Sequence, residues 1–284
     1  MKVIKGSVRY LDTTNRILEI KTPLKIEYLY LTRSLMNRFK VFLKEETYVE
    51  LEATNQSELK DDRMLYEIVG FIKIVQNTTN KTNVLYDVRS IRRGIAEVLN
   101  KDTNKMFIDL EFTMPEYGSH APFKSEIIQF GYIVEDNKGV VIDSNSSLIK
   151  INQSAISNRT LEFVNRTIEE FDDAITQEEF YEIFKEALKK YDPTIIVWGS
   201  NDILMLDAFY KDLDKEPLTT RASFINVMQL IKNYFGMKYD IGLFKAKTFF
   251  SEKESDDQAH DALTDAETTQ EVFHLFKEYT KKIG

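Results

Sequence analysis

Cysteine is absent from the 284-residue chain. Disulfides and thiolate metal sites are thereby excluded, and any bound metal must rest on hard oxygen donors, which suit Mg²⁺ or Mn²⁺. Proline and glycine are scarce, at 5 and 10 residues, and nothing in the composition points to extended disorder. No apolar run approaches the roughly 18 residues that suggest a membrane span, so no membrane partner is expected. Met1–Tyr10 has charges interrupting its apolar residues and lacks the apolar stretch of a signal peptide, which makes a cytoplasmic location the expectation.

What is present is 43% hydrophobic and 30% charged residues, enough for a sizeable core, in a chain long enough for two domains. The net charge of −8 is unevenly spread. Residues 1–100 carry a small excess of Lys and Arg, and the remainder a large excess of Asp and Glu. Acids that hold cations can still act on polyanions, because the bound ions invert the local charge, so the overall charge does not exclude a nucleic-acid partner.

The pattern divides the chain into a small β-domain over 1–76, a linker with an amphipathic helix over 77–104, and an α/β domain over 105–284. Five strand-like runs lie between Lys2 and Gln76, with a short helix after the third, in the order of an OB-fold barrel. Lys2, Lys5, Arg9 and Lys21, interleaved with Tyr10, Tyr28 and Tyr30, would suit phosphate contact and base stacking. Equally, the tyrosines could be core and the lysines a solvated face. The polar run 77–82 reads as a turn or linker, and Tyr86–Asn100 as a helix with Arg89, Arg92 and Arg93 on one face.

The stretch that organises the second domain is Lys105–Thr113, an apolar run with Asp109 and Glu111 set into it. Side chains two apart on a strand share a face, so Phe107, Asp109, Glu111 and Thr113 are placed together. Two adjacent carboxylates raise each other's pKa, and a divalent cation is the usual remedy, although a solvated strand face can carry two acids with no chemistry. Strands at Glu126–Val134 and Gly139–Asp143 complete an antiparallel meander, with a further run at Ser147–Ile151. Helical patterns follow at Leu161–Thr167 and Gln177–Tyr191. A buried strand over Thr194–Gly199 feeds a helix from Ser200 whose first turn holds Asp202. After a short strand at Phe224–Val227 and helices near Met228–Phe235 and Gly242–Lys247, a last helix begins near His260. Small residues at Ala262 and Ala266 let its first turns, with Asp265, approach a sheet.

Three segments in this order resemble the motifs of the DEDDh branch of the 3′–5′ exonucleases. Phe107–Thr113 is similar to the first motif, Trp198–Ile203 to the second, and His260–Ala266 to the third, with the defining histidine five residues before the last acid. The second motif, Trp-Gly-Ser-Asn-Asp, departs from the Asn-x-x-Phe-Asp form of many members and looks more like that of RNA-processing ones; Asp207 is a weaker candidate than Asp202. The resemblance implies a ribonuclease H-like mixed sheet flanked by helices. It also implies two Mg²⁺ or Mn²⁺ ions held by Asp109, Glu111, Asp202 and Asp265, with Asp109 bridging both. His260, with an unperturbed pKa near 6.5, would take the proton of the attacking water. Phe112 and Thr113 lie where members receive the terminal nucleotide, and His120 in the following loop is a further candidate for substrate contact. His274, on the late helix, reads as structural.

The expected activity is stepwise release of nucleoside monophosphates from single-stranded RNA or DNA 3′ ends. The alternative is a catalytically weak nucleic-acid-binding or regulatory protein on the same fold. Four crowded carboxylates and a histidine argue against that alternative, because a binder has no use for mutually repelling acids.

Overall fold

The computed structural model describes residues 1–60, 63–78, 81–119, 122–151, 156–253 and 260–283, which fall into two compact units, Met1–Ile95 and Ala96–Gly284. In the first, β1 (Lys2–Asp12), β2 (Ile17–Lys21), β3 (Ile26–Tyr30), α1 (Arg33–Phe39), β4 (Tyr48–Lys60), β5 (Arg63–Thr78) and β6 (Lys81–Asp87) follow in order. The sheet runs β3-β2-β1-β4-β5-β6, and a parallel pairing of Leu29 with Tyr66 and Tyr30 with Glu67 joins β3 to β5 and closes it. Alternate side chains of these strands, among them Leu18, Ile20, Leu29, Val49, Leu51 and Ile74, are fully buried inside. Helix α1, capped by the Thr32 hydroxyl, adds Met36 and Phe39, the latter ring 4.7 Å from Phe71 and 5.0 Å from Tyr86.

Two expectations for this part need correction. Four residues of the run read as a turn or linker belong to strands: Asn77 pairs with Thr82 and Thr78 with Lys81. Strand β6 lies at the sheet edge and is largely solvated, so it lacks the apolar alternation that reveals an inner strand. The helix, α2 (Val88–Leu99), accordingly starts later than Tyr86, with Asp87 Oδ1 accepting from the N–H groups of Arg89 and Ser90. The basic residues are also less available than their number suggests. Lys2 pairs with Glu27 at 3.8 Å, Arg9 with Glu19 at 3.3 Å, and Lys5 and Arg89 with Glu50 at 3.2 and 3.1 Å.

In the second unit β7 (Lys105–Phe112), β8 (Ile127–Glu135) and β9 (Val141–Leu148) form the expected meander, the runs near Gly139 and Ser147 being one continuous strand. Helices α3 (Asn158–Val164) and α4 (Gln177–Tyr191) lead to β10 (Thr194–Val197), α5 (Asn201–Asp212), β11 (Phe224–Asn226), α6 (Val227–Phe235), α7 (Leu243–Ser251) and α8 (Ala262–Ile283). The sheet order is β11-β10-β7-β8-β9, with β10 and β11 parallel to β7. Met106, Ile108 and Leu110 of β7 pack with Phe180 and Phe184 of α4 and Leu206 and Phe209 of α5. On the opposite face Phe107 meets Phe273 of α8 with ring centroids 5.5 Å apart. Alternation therefore turns Asp109 and Glu111 toward α8. Further along α8, His274 Nε2 lies 2.7 Å from the fully buried Glu135, which Gln270 at 3.2 Å and Lys105 at 3.6 Å also hold, in keeping with a structural histidine.

The seat of α8 on the sheet depends on Gly131 of β8. A Cβ there would lie 2.2 Å from Leu263 N and 2.4 Å from the Ala262 carbonyl carbon, closer than any non-bonded contact allows. Because the obstruction is backbone, Gly131→Ala cannot be absorbed by a rotamer change. It is expected to cost about 3 kcal/mol or more, which thermal unfolding measures, and a variant melting like the wild type would show that α8 is not seated so tightly.

Candidate active site

The functional side chains reach one place from three segments. Asp109 faces Gly131 across the β7–β8 ladder and Glu111 faces Gln129. The close approach at Gly131, together with the fully buried Ala262 and Ala266, brings the first turn of α8 onto these strands and leaves Asp265 buried above them. Asp261 starts that helix, its Oδ1 accepting from Thr264 N–H at 3.1 Å and Thr264 Oγ1 at 3.2 Å, while its carbonyl accepts from Asp265 N–H at 2.9 Å. On the other side, β10 pairs with β7 only as far as Ile196 opposite Phe107. The chain then turns at Gly199, whose φ of +92° is open to glycine, and α5 begins. Asp202, buried in its first turn, accepts the N–H of Leu110 on Oδ1 at 3.1 Å, so it satisfies the β7 backbone beyond the end of that pairing.

Electrostatics records the convergence. The carboxyl of Asp109 is pushed well above the usual range, first by burial and then by the charges of Asp202, Glu111, Asp265 and Asp261. Burial, with Asp265, Asp202 and Asp261 nearby, raises Glu111 to about 8, and burial raises Asp202 to about 7. One oxygen each of Glu111 and Asp265 and a ring nitrogen of His260 lie within 4.8 Å of one another. The His260 ring stacks on Phe163 of α3, centroids 3.8 Å apart, and burial lowers its pKa, which favours the neutral form able to accept a proton.

Residues 106–273 match the family model of the exonucleases that includes ribonuclease T. The chain belongs to the DEDDh 3′–5′ exonuclease superfamily. The chain is 29% identical over 185 residues to the probable 3′–5′ exonuclease KapD of Bacillus subtilis strain 168, covering 62% of this chain and 87% of that protein. Its fold is similar to the nuclease domain of 3′hExo, a DEDDh member solved with rAMP bound, with a TM-score of 0.53 at 17% identity over 62% of this chain and 92% of that one. Escherichia coli exonuclease I, solved with a dT13 oligonucleotide, gives a TM-score of 0.50 at 14% identity over 64% of this chain and 42% of that one. DEDDh exonucleases use divalent metal ions, and the donors gathered here fit such a group: hard carboxylate oxygens crowded enough to raise one another's pKa, with an imidazole beside them.

In this exonuclease domain Asp109, Glu111, Asp202, Asp265 and His260 are brought together. Phe112 is half-buried at the end of β7, and His120 lies outside the described residues. Thr113 is buried, its hydroxyl accepting from Glu126 N–H at 2.9 Å, which ties down the loop after β7. Sequence reasoning missed Phe163, Arg166, Gln129 and the part played by Asp261. Burial would raise the Asp261 carboxyl, but bonds from Gln129 and Thr264 and the charge of Arg166 hold it below its usual value. An aromatic and a basic residue near the end of a short helix carry no local signal of a site 95 residues away.

Proposed function

We propose that the protein hydrolyses single-stranded RNA or DNA from the 3′ end with the help of two Mg²⁺ or Mn²⁺ ions, releasing nucleoside monophosphates, and that His260 is the general base. The observation that carries this reading is the meeting of Asp109, Glu111, Asp202, Asp265 and His260 from three remote segments. The four acids would hold the ions, which when bound supply charge neutralisation for the phosphorane-like transition state, an acidified attacking water and support for the leaving 3′-oxygen. His260, kept neutral by burial and oriented by the Phe163 ring, takes the proton of the attacking water. Asp202 holds β7 in register through Leu110 N–H, so that Asp109 and Glu111 keep their spacing. Phe112, at the end of the acid-bearing strand, is the candidate to meet the terminal nucleotide.

The N-terminal unit we read as an OB-like barrel. Its support is the closed strand order β1-β2-β3-β5-β4, with α1 between β3 and β4.

The experiment is to incubate 5′-labelled single-stranded RNA and DNA with the protein and Mg²⁺ or Mn²⁺ and to resolve the products. A ladder shortening one nucleotide at a time from the 3′ end is expected. A single internal cut would point to an endonuclease, and an intact oligonucleotide retarded in a gel would point to the binding-only alternative.

A further inference from the structure

The end of α3 and the start of α8 meet beside the acids, through contacts of which the chemistry above uses only the stacking of Phe163 on His260. Phe163 lies against the His260 imidazole with planes 21° apart. Three residues later, Arg166 Nη2 donates to Asp261 Oδ2 at 2.9 Å and Nη1 to Glu170 Oε1 at 3.2 Å. From β8, Gln129 Nε2 donates to the same Asp261 oxygen at 2.8 Å. Arg166 reaches this place because Asn165 adopts a left-handed conformation with φ of 49° and Arg166 N–H returns to Leu161 O at 3.0 Å, ending α3. The other end of α3 is tied to the segment following β7. Ser157 Oγ donates to Met114 O at 2.7 Å, Met114 N–H donates to Thr160 Oγ1 at 2.9 Å, and Asn158 N–H donates to Glu116 Oε2 at 3.1 Å. One short helix thus spans from the strand of the first two acids to the helix of the last acid and the histidine.

Helix capping does not account for the arginine. Asp261 caps α8 through Oδ1, and Arg166 and Gln129 grip the other oxygen. Each terminal nitrogen of the guanidinium already donates to a carboxylate. What the grip does is hold the backbone immediately after His260 in two directions, from α3 and from β8.

We propose that Arg166 is a positioning residue for His260: with Gln129 it fixes the Asp261 carboxylate, and through it the chain that carries the imidazole against Phe163. The inference rests on His260 being the general base. Misplacing a catalytic group by about 1 Å costs on the order of a hundredfold in rate, so a small loss of registration is enough to be measured.

The test is Arg166→Met, which keeps the aliphatic stem and removes both ion pairs. On 5′-labelled single-stranded RNA, kcat is expected to fall about 10- to 100-fold with KM within about twofold, and Arg166→Lys to recover part of the loss. In an Asp261→Asn background, which retains a capping side chain, adding Arg166→Met should change kcat by less than about twofold, because the partner it acts through is already altered. A second readout needs no turnover. The chain has 3 histidines, so the His260 imidazole protons can be assigned by their loss in His260→Asn. They should be displaced upfield by the Phe163 ring and return toward random-coil positions in Arg166→Met. An unchanged kcat, an equal loss of kcat in the Asp261→Asn background, a raised KM with kcat kept, or unmoved His260 resonances would each overturn the proposal. If the wild type hydrolyses nothing yet its His260 resonances move in Arg166→Met, the clamp is supported and the catalytic reading is the one refuted.

Discussion

Asp109→Asn is expected to lower hydrolysis at least about a thousandfold, roughly 4 kcal/mol of transition-state stabilisation, while raising the melting temperature of the protein in EDTA at pH 8. The two effects have one origin. An Asp or Glu in the unfolded chain titrates near 4, whereas in the fold Asp109 is raised well above that, Glu111 to about 8 and Asp202 to about 7. Between those limits the folded protein holds more protons than the unfolded one, so stability is greatest on the acid side of the window and falls as pH rises through it. Asparagine has the shape of the protonated acid and no proton to lose. Its melting temperature should therefore exceed the wild type's by several degrees at pH 8 and by little at pH 5. In the wild type, Mg²⁺ or Mn²⁺ should restore what the repulsion removes. An ion present at about 100 times its Kd adds about 2.7 kcal/mol, and this gain should grow with pH and shrink sharply in Asp109→Asn. Differential scanning fluorimetry with and without EDTA measures all of this. A wild-type melting temperature indifferent to both ions across the pH range would mean that the acids are not a cation site.

How much of this could be read from the chain follows from the range over which each interaction acts. The acids were legible because each sits at a characteristic offset within its own segment: Asp109 and Glu111 two apart on one strand face, Asp202 in a first helical turn, Asp265 five after His260. The meander, the buried β10 and α4 were legible for the same reason, being written in alternation, β-branched runs and helical periodicity local to each element. Strand β6 was not, because an edge strand need not alternate. The support around His260 was not, because it consists of pairs 95 and 132 residues apart, Arg166 with Asp261 and Gln129 with Asp261, whose members separately look like surface charge and strand filler. Gly131 shows the same limit: its meaning is the backbone of Leu263 lying where a Cβ would be. Counting the basic residues of the first unit likewise did not reveal that Lys2, Lys5, Arg9 and Arg89 each have an acid within 4.0 Å.

The second large effect separates the base from the ion-holding acids. His260→Ala is expected to lose about 10²- to 10⁴-fold in kcat, the usual contribution of a general base, while melting within a few degrees of the wild type and keeping the rise in melting temperature with Mg²⁺ or Mn²⁺. Stability is spared because the ring is only partly buried and its loss chiefly exposes one face of Phe163. The response to the ions is spared because Asp109, Glu111, Asp202 and Asp265 all remain. The pH profile gives the more searching check. Burial holds the imidazole below its ordinary value of 6.5, so with the ions saturating the wild-type rate should climb with pH along an acid limb whose midpoint lies below 6.5 and level off by neutrality. In His260→Ala that limb should vanish, and the residual rate should rise with hydroxide concentration into the alkaline range, since water then surrenders its proton to solvent. Near wild-type turnover in the variant, or an acid limb that survives the substitution, would take the base assignment away from His260. The carboxylates would then be left as the groups whose titration controls the rate.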